Sequence, residues 1–515
     1  MRRARVLQGQ PSQQTGVSVS LPSPLGGWNA RDSEAAMAST DAITLDNWFP
    51  DVGRVRIRNG DTSYATSVGD SAVPTLAEYH FGATKKFIAA GSGSIYDITG
   101  GGSATPIATG FAVNRWQTTP FNNRLLMFNG TDTAQSYNGT SITAAGWTGT
   151  GLDATKLIQG AVWKQRAFAI EDGTLSAWYG AVGGITGSMA ELDLSEYANG
   201  GTLKSVGTWS RDQGDGPDDL LVFLTTAGQA LIYSGSGPEE TDFGLVGIYQ
   251  FPPPVGNRCM VSIGGELVII TSGGFFPMSS ALAQQFMDQS MAISDKIRGA
   301  VRVAAQDNAS LFGWEGVYIP GESKLVFNVP NSPTTFVQFV RNTITGAWCR
   351  FVDRNMLTQA ISNGVLYGGG FGGNVWRLDD GTIDTSQTVT AIRAEARMAF
   401  NNFGVPGQQK RVTAVRPYLS AAGTLRYSVG FDVDFTRRAL EASLHTVQSD
   451  GTPWEEESVL WESWDVPWGT GGGSISQWVS FGVMGRWLSL HMLASTSIAV
   501  EWFSTDILGI PGGTR

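Results

Sequence analysis

A chain of 515 residues exceeds one ordinary hydrophobic core, so two or three domains are expected. Glycine is abundant (66) and charged residues make up only 16%, a balance that suits short strands and tight turns and argues against helical bundles and disorder. A formal charge of -10, with no basic run beyond the first five residues, argues against a surface built to grip nucleic acid, and Cys259 and Cys349 alone give no disulfide framework and no CxxC metal site.

The chain opens with a polar arm, residues 1–24, in which Arg2, Arg3 and Arg5 are followed by no apolar core of signal-peptide length. No later run approaches a membrane span, so no membrane contact is expected. Residues 25–72 read as the N-terminal part of a platform domain. The stretch 25–60, LGGWNARDSEAAMASTDAITLDNWFPDVGRVRIRNG, holds a Gly-Gly-Trp turn, an Asp-Asn-Trp-Phe-Pro corner and a short strand ending in Asn-Gly. Its two large aromatics, Trp48 and Phe49, need a partner surface, in the core or at an interface.

This stretch resembles the opening of tail nozzle proteins of short-tailed phages, the tail tubular protein B and packaged-DNA stabilisation group. The matching residues are Gly26, Gly27, Asn29 and Arg31, then Leu45, Asp46, Asn47, Trp48, Phe49 and Pro50, then Val55, Arg58 and Gly60. The resemblance implies a structural virion protein, assembled in the host cytoplasm and located in the tail. It further implies a cyclic homohexamer below the portal and head-to-tail adaptor, docking surfaces for fibres or tailspikes, and a channel that retains the genome and later conducts it. On the charge reading, double-stranded DNA passes through such a channel without tight binding, and the arginines of the arm meet the adaptor or an acidic neighbour.

Residues 73–384 read as a β-propeller of six to eight blades. Seven hairpin patterns recur at roughly blade spacing: FIAAGSGSIYDI from Phe87, LLMFNGTDTAQSYNG from Leu125, AFAIEDGTLSAWYG from Ala167, LLVFLTTAGQALIYSG from Leu220, LVIITSGGFFPM from Leu267, LVFNVPNSPTTFVQFV from Leu325, and VLYGGGFGGNVWRL from Val365. A helical insert is expected near 279–298, capped by Ser279 or Ser280, with Leu282, Phe286 and Met287 at helical spacing. The order of parts over 243–298 also resembles the nozzle group, from the Tyr-x-Phe-Pro-Pro-Pro lead-in to Ser-Asp-Lys-Ile. Within it Phe275, Phe276 and Met278 are candidates for a channel constriction.

Residues 385–515 read as an antiparallel β-sandwich or platform domain, with Ile498, Val500 and Trp502 sharing one strand face. Between its strands lies an acidic, tryptophan-rich stretch, residues 449–476. Trp454, Trp461, Trp464 and Trp468 are too many for a loop that stays in water, so it is expected to dock on a neighbouring domain, subunit or partner, with a sugar-stacking site as the rival.

Catalytic motifs are missing: no GxSxG, HExxH or GxxxxGK[ST], and His80, His445 and His491 stand apart. Asp215, Asp218, Asp219, Glu239 and Glu240 could serve a glycosidase only if two of them converge, but their Gly and Pro neighbours suggest turn tips. The expected function is therefore structural, without enzyme activity, cofactor or metal. A propeller glycosidase or depolymerase and a monomeric propeller interaction module remain the alternatives.

Overall fold

The computed structural model describes residues 17–212, 217–282, 288–388, 391–440, 445–447 and 473–511. The chain divides into two compact units: one of Met1–Gly27, Ser33–Ile57 and Arg393–Arg515, the other of Trp28–Asp32 and Arg58–Ile392. Both are built almost wholly from antiparallel strands, and the described residues contain a single α-helix.

The larger unit is a β-propeller of seven blades, with one further two-stranded pair between Trp147–Thr148 and Gly187–Ser188. In chain order its blades span 75–109, 117–144, 157–193, 203–250, 260–277, 315–351 and 358–378, each a meander of adjacent antiparallel strands. The first strands of the blades, Thr75–Phe81, Gln117–Phe121, Leu157–Trp163, Leu203–Asp212, Met260–Ile263, Glu315–Ile319 and Thr358–Ser362, neighbour one another in a closed ring, the last returning to the first. Between successive blades lie apolar cores, such as Phe121, Phe128, Trp147 and Trp178 between the second and third, and Trp163, Phe168, Phe223 and Tyr233 between the third and fourth.

All seven hairpins expected from sequence are the second and third strands of the seven blades. Those central strands are covered on both faces. All six residues of Arg166–Glu171 are buried, which is why they read as continuous apolar runs. The Asn363–Gly364 turn has φ values of 51° and 77°, so both central residues adopt the left-handed conformation that a type I′ hairpin requires.

The seventh blade is completed from the far end of the sequence. Asp61–Thr66 pairs antiparallel with Val375–Leu378 as its fourth strand, sealing the ring. The sequence reading had placed 61–66 in the platform. The polar strand DTSYAT has a weak apolar signal of its own and takes its place from its partner. Trp28–Asp32 also belongs to this unit: Trp28 packs edge-on against Phe339 (ring centroids 5.2 Å), and Arg31 pairs with Asp295 at 2.5 Å. The observed limits, 57/58 and 392/393, therefore differ from the expected 72/73 and 384/385.

The fifth blade has three strands and leads into the insert. Three short 3-10 turns, Met278–Leu282, Gln289–Met291 and Asp295–Ile297, precede the α-helix Arg298–Asn308. The helix thus begins where the sequence reading expected it to end. Ser280 turns its hydroxyl back to the Pro277 carbonyl (2.6 Å), and the Ser279 N–H goes to Glu266 Oε1 (3.2 Å) within a 3-10 turn, so the two expected caps start no α-helix at 279. Phe286 and Met287 lie outside the described residues.

The smaller unit weaves both ends of the sequence into two antiparallel sheets. In one, Val500–Pro511 lies between Lys410–Ala421 and the pair Val17–Pro22 and Arg54–Ile57. In the other, Asp41–Asp46 pairs with Ile392–Met398, followed by Leu488–Thr496 and Leu425–Val433. The platform expected from the terminal segments is this unit. Asn47, at φ 57°, turns the chain between the sheets and donates its side-chain amide to the Arg393 carbonyl (2.8 Å).

Candidate functional site

The most heavily built polar cluster of the propeller lies where its inner strands begin. Arg258, two residues before the fifth inner strand, donates from Nη1 to Glu315 Oε2 (2.7 Å) and Thr358 Oγ1 (2.6 Å), from Nη2 to the carbonyls of Pro74 and Trp116 (both 3.0 Å), and from Nε to Gln117 Oε1 (3.3 Å). Those acceptors stand at the starts of four other inner strands. Glu315 also accepts the Gln359 N–H, and Ser205 donates to Gln159 Oε1 (2.7 Å), tying the remaining two strands at the same level.

Burial pushes the Glu315 carboxyl up, against the pull of Arg258. The guanidinium's five donors all have acceptors within the chain, so none is left to clamp a substrate carboxylate. This cluster is a staple across the propeller axis. Beside it, burial raises the Cys259 thiol to about 11, which leaves it protonated and unreactive at neutral pH.

A second buried cluster lies where the chain enters and leaves the propeller. Arg58 makes a two-pronged pair with Asp384 (2.7 and 2.5 Å), and Arg354 reaches Asp379 (3.1 Å) and the carbonyls of Asn59 and Gly60. Lys324 holds Asp379 from the other side at 2.9 Å, and the cations of Arg58, Lys324 and Arg354 all lie within 6.0 Å of the Phe351 ring centre. Burial alone would raise Asp379, yet Lys324 and Arg354 hold it well below the usual carboxylate range. Gly60 is required here, because a Cβ would sit 1.8 Å from the Ile383 carbonyl oxygen.

The structure places the other sequence candidates as follows. Trp48 and Phe49 are core residues of the smaller unit, 0% and 1% exposed, and present no side-chain surface to a partner. Phe275, Phe276 and Met278 are each 0% exposed; Phe275 stacks on Phe327 at 3.9 Å and Phe276 meets Phe251 edge-on, so these side chains fill the propeller core and do not line a constriction. Arg2, Arg3, Arg5, Trp454, Trp461, Trp464, Trp468 and Asp215 lie outside the described residues.

Asp218 and Asp219 belong to the strand Pro217–Thr225, not to a turn tip; Asp219 accepts the Ser210 hydroxyl (2.6 Å), while Glu239 pairs with Arg166 (3.0 Å). His491 is buried against Glu395 (3.2 Å) and His80 is exposed at a strand end. Among the described residues no three His, Cys, Asp or Glu side chains gather as a metal set, and no helix is long and apolar enough to cross a membrane. Sequence reasoning missed the Arg258 staple, since its partners come from separate blades and a lone arginine ahead of a strand carries no local signal.

No protein-family profile and no curated protein matches the chain. Among solved structures it is similar to the computationally designed Ika8 protein (10% identity, TM-score 0.36, covering 68% of this chain and 99% of that one). It is also similar to BBS1N in complex with ARL6DN (8%, 0.38, 62% and 98%) and to Chaetomium thermophilum Raptor (9%, 0.39, 63% and 29%).

Proposed function

We propose that the chain is a structural subunit of a short-tailed phage tail, a nozzle protein without catalytic activity. Copies assemble into a ring, a homohexamer in this reading, whose channel retains the genome and then conducts it. The ring docks the portal-side adaptor above and fibres or tailspikes at its flank, and it reaches the virion tail after assembly in the host cytoplasm.

The observation that carries this reading is the stretch 25–60, whose resemblance to the nozzle group extends over the Leu45–Pro50 corner. Its Trp48 and Phe49 are built into the core of the terminal unit, and its Arg54–Ile57 strand pairs with Val500–Pro511. The motif is therefore part of the scaffold that brackets an inserted propeller. With Arg258 stapled across the propeller's own axis, the reading puts the conduit between copies. The separate engagements of Asp219 and Glu239 favour a structural role over a glycosidase, which needs two convergent carboxylates.

Solution mass at high concentration, combined with particle images of the purified chain, tests the proposal. A ring of about six copies is expected. A strict monomer would favour an independent interaction module, and turnover of polysaccharide by the pure protein would favour the depolymerase. With -10 formal charges per copy, duplex DNA should bind weakly; micromolar, salt-dependent affinity after removal of the first ten residues would contradict a non-adhesive channel.

A further inference from the structure

An apolar cleft of about 240 Å³ opens in the smaller unit, with Val17, Phe403 and Val405 at its rim and Val412, Leu488 and Ile507 as its floor. An engineered cavity of roughly 150 Å³ holds benzene, so this cleft has room for an indole. Val17 and Val405 are 52% and 41% exposed, so among the described residues the apolar rim of this cleft is left open.

One charge lines the same cleft. Lys410 is only 8% exposed, and its ammonium donates to the carbonyls of Val405 (2.6 Å) and Arg486 (2.8 Å), leaving one of three N–H donors. It pairs with no carboxylate among the described residues. The nearby Asp434 accepts the N–H groups of Arg486 and Trp487 instead. A buried cation held only by neutral carbonyls calls for an anion. The ligand that fits is an apolar ring with a carboxylate beside it.

The chain itself carries that chemistry three times over, as Trp454-Glu455, Trp461-Glu462 and Trp464-Asp465. We propose that the cleft receives the acidic tryptophan segment 454–468 of a second copy, a tryptophan filling the apolar floor and the adjoining carboxylate meeting Lys410. The inference rests on the self-assembly in the reading above.

Reach argues for a second copy. Gly473 pairs with Ala421, the end of Lys410–Ala421 remote from the cleft, about 36 Å away at ~3.3 Å per residue. Trp464, nine residues before Gly473, spans at most ~32 Å. On the other side, Val447 pairs with Leu425, eight strand residues from Val433, which faces Leu488; that is about 26 Å, and Trp454 reaches ~25 Å at full stretch. Within one copy Trp454 and Trp464 could arrive only with one flank drawn straight, and Trp461 only with its flank to Gly473 nearly so, a stretch that costs chain entropy. A neighbour's segment has no such restriction.

The test places a photo-reactive benzophenone residue at Val405 in the full chain and irradiates a mixture of nitrogen-14 and nitrogen-15 copies, with solution mass measured on the same sample. Isotopically mixed links from position 405 to 454–468 are expected, together with about tenfold weaker assembly for the combined Glu455→Gln, Glu462→Gln and Asp465→Asn chain and for Val405→Glu, a change on an exposed loop. An assembled sample whose links are absent or confined to single copies overturns the inference and leaves the ring standing. A monomer at every concentration overturns the ring, and the inference with it.

Discussion

Trp48 and Trp502 meet edge to face, their ring centroids 5.8 Å apart at 61°, so a residue from the first tenth of the sequence and one from its last strand share a core. Trp48→Ala should destabilise the smaller unit by about 3–5 kcal/mol, as truncations of buried aromatics do. A double-mutant cycle with Trp502→Ala should return about 0.5–1.5 kcal/mol of coupling. Denaturant unfolding measures both, and a loss for Trp48→Ala under about 1 kcal/mol would place the side chain outside the core.

The buried Arg58–Asp384 pair yields a local prediction. Asp384→Asn leaves the Arg58 charge without its partner and should cost about 3–5 kcal/mol. Replacing both, Arg58→Met with Asp384→Leu, should cost clearly less. Hydrogen exchange should quicken first over 61–66 and 375–378; uniform exchange along the chain would mean that the pair does not hold the closing blade.

At the axis, Arg258→Lys keeps the charge but reduces five donors in a fixed fork to three on a flexible stem. The carbonyls of Pro74 and Trp116 then compete with Glu315 for them. A loss of about 2–3 kcal/mol is expected, with strand content by circular dichroism unchanged at room temperature. An unaltered midpoint would show that the staple contributes nothing.

Glu395 gives a pH dependence. The hydrogen bond from His491, helped by Arg397, lowers its carboxyl from 4.5 to about 2. A carboxyl depressed on folding adds stability that is complete above about 4.5 and disappears as pH falls toward about 2. The smaller unit should therefore weaken across that window, and Glu395→Gln should flatten this part of the profile. Equal acid slopes for the two proteins in chemical denaturation would exclude Glu395 as the source.

Much of the propeller was legible in the sequence because its central hairpins are covered on both faces, as in Arg166–Glu171, and closed by turn residues such as Asn363 and Gly364. Outer strands such as Thr105–Thr109 are largely exposed and mix small and polar residues, so they carry little periodic signal. Asp61–Thr66 was misplaced for the same reason, its partner lying at Val375–Leu378. Phe275 and Phe276 were expected in a loop between blade strands, but they belong to the strand Gly274–Pro277 and pack inward on Phe327 and Phe251. Trp48 was legible as a large aromatic needing cover; whether a core or a partner supplied it depended on Trp502, which local pattern cannot reach.

The closing strand Asp61–Thr66 also sets a timetable for synthesis. It leaves the ribosome roughly 300 residues before Val375–Leu378 exists to receive it, a wait of about 15–60 s at ~5–20 residues per second. Through that interval the early blades must stand as an open, growing stack with one naked edge, and a strand of polar DTSYAT composition is far less prone to pair with strangers than an apolar one. The weak strand signal that hides this segment from sequence reasoning is what lets it wait, with only Gly102–Ser103 paired along one end, until Val375–Leu378 is made.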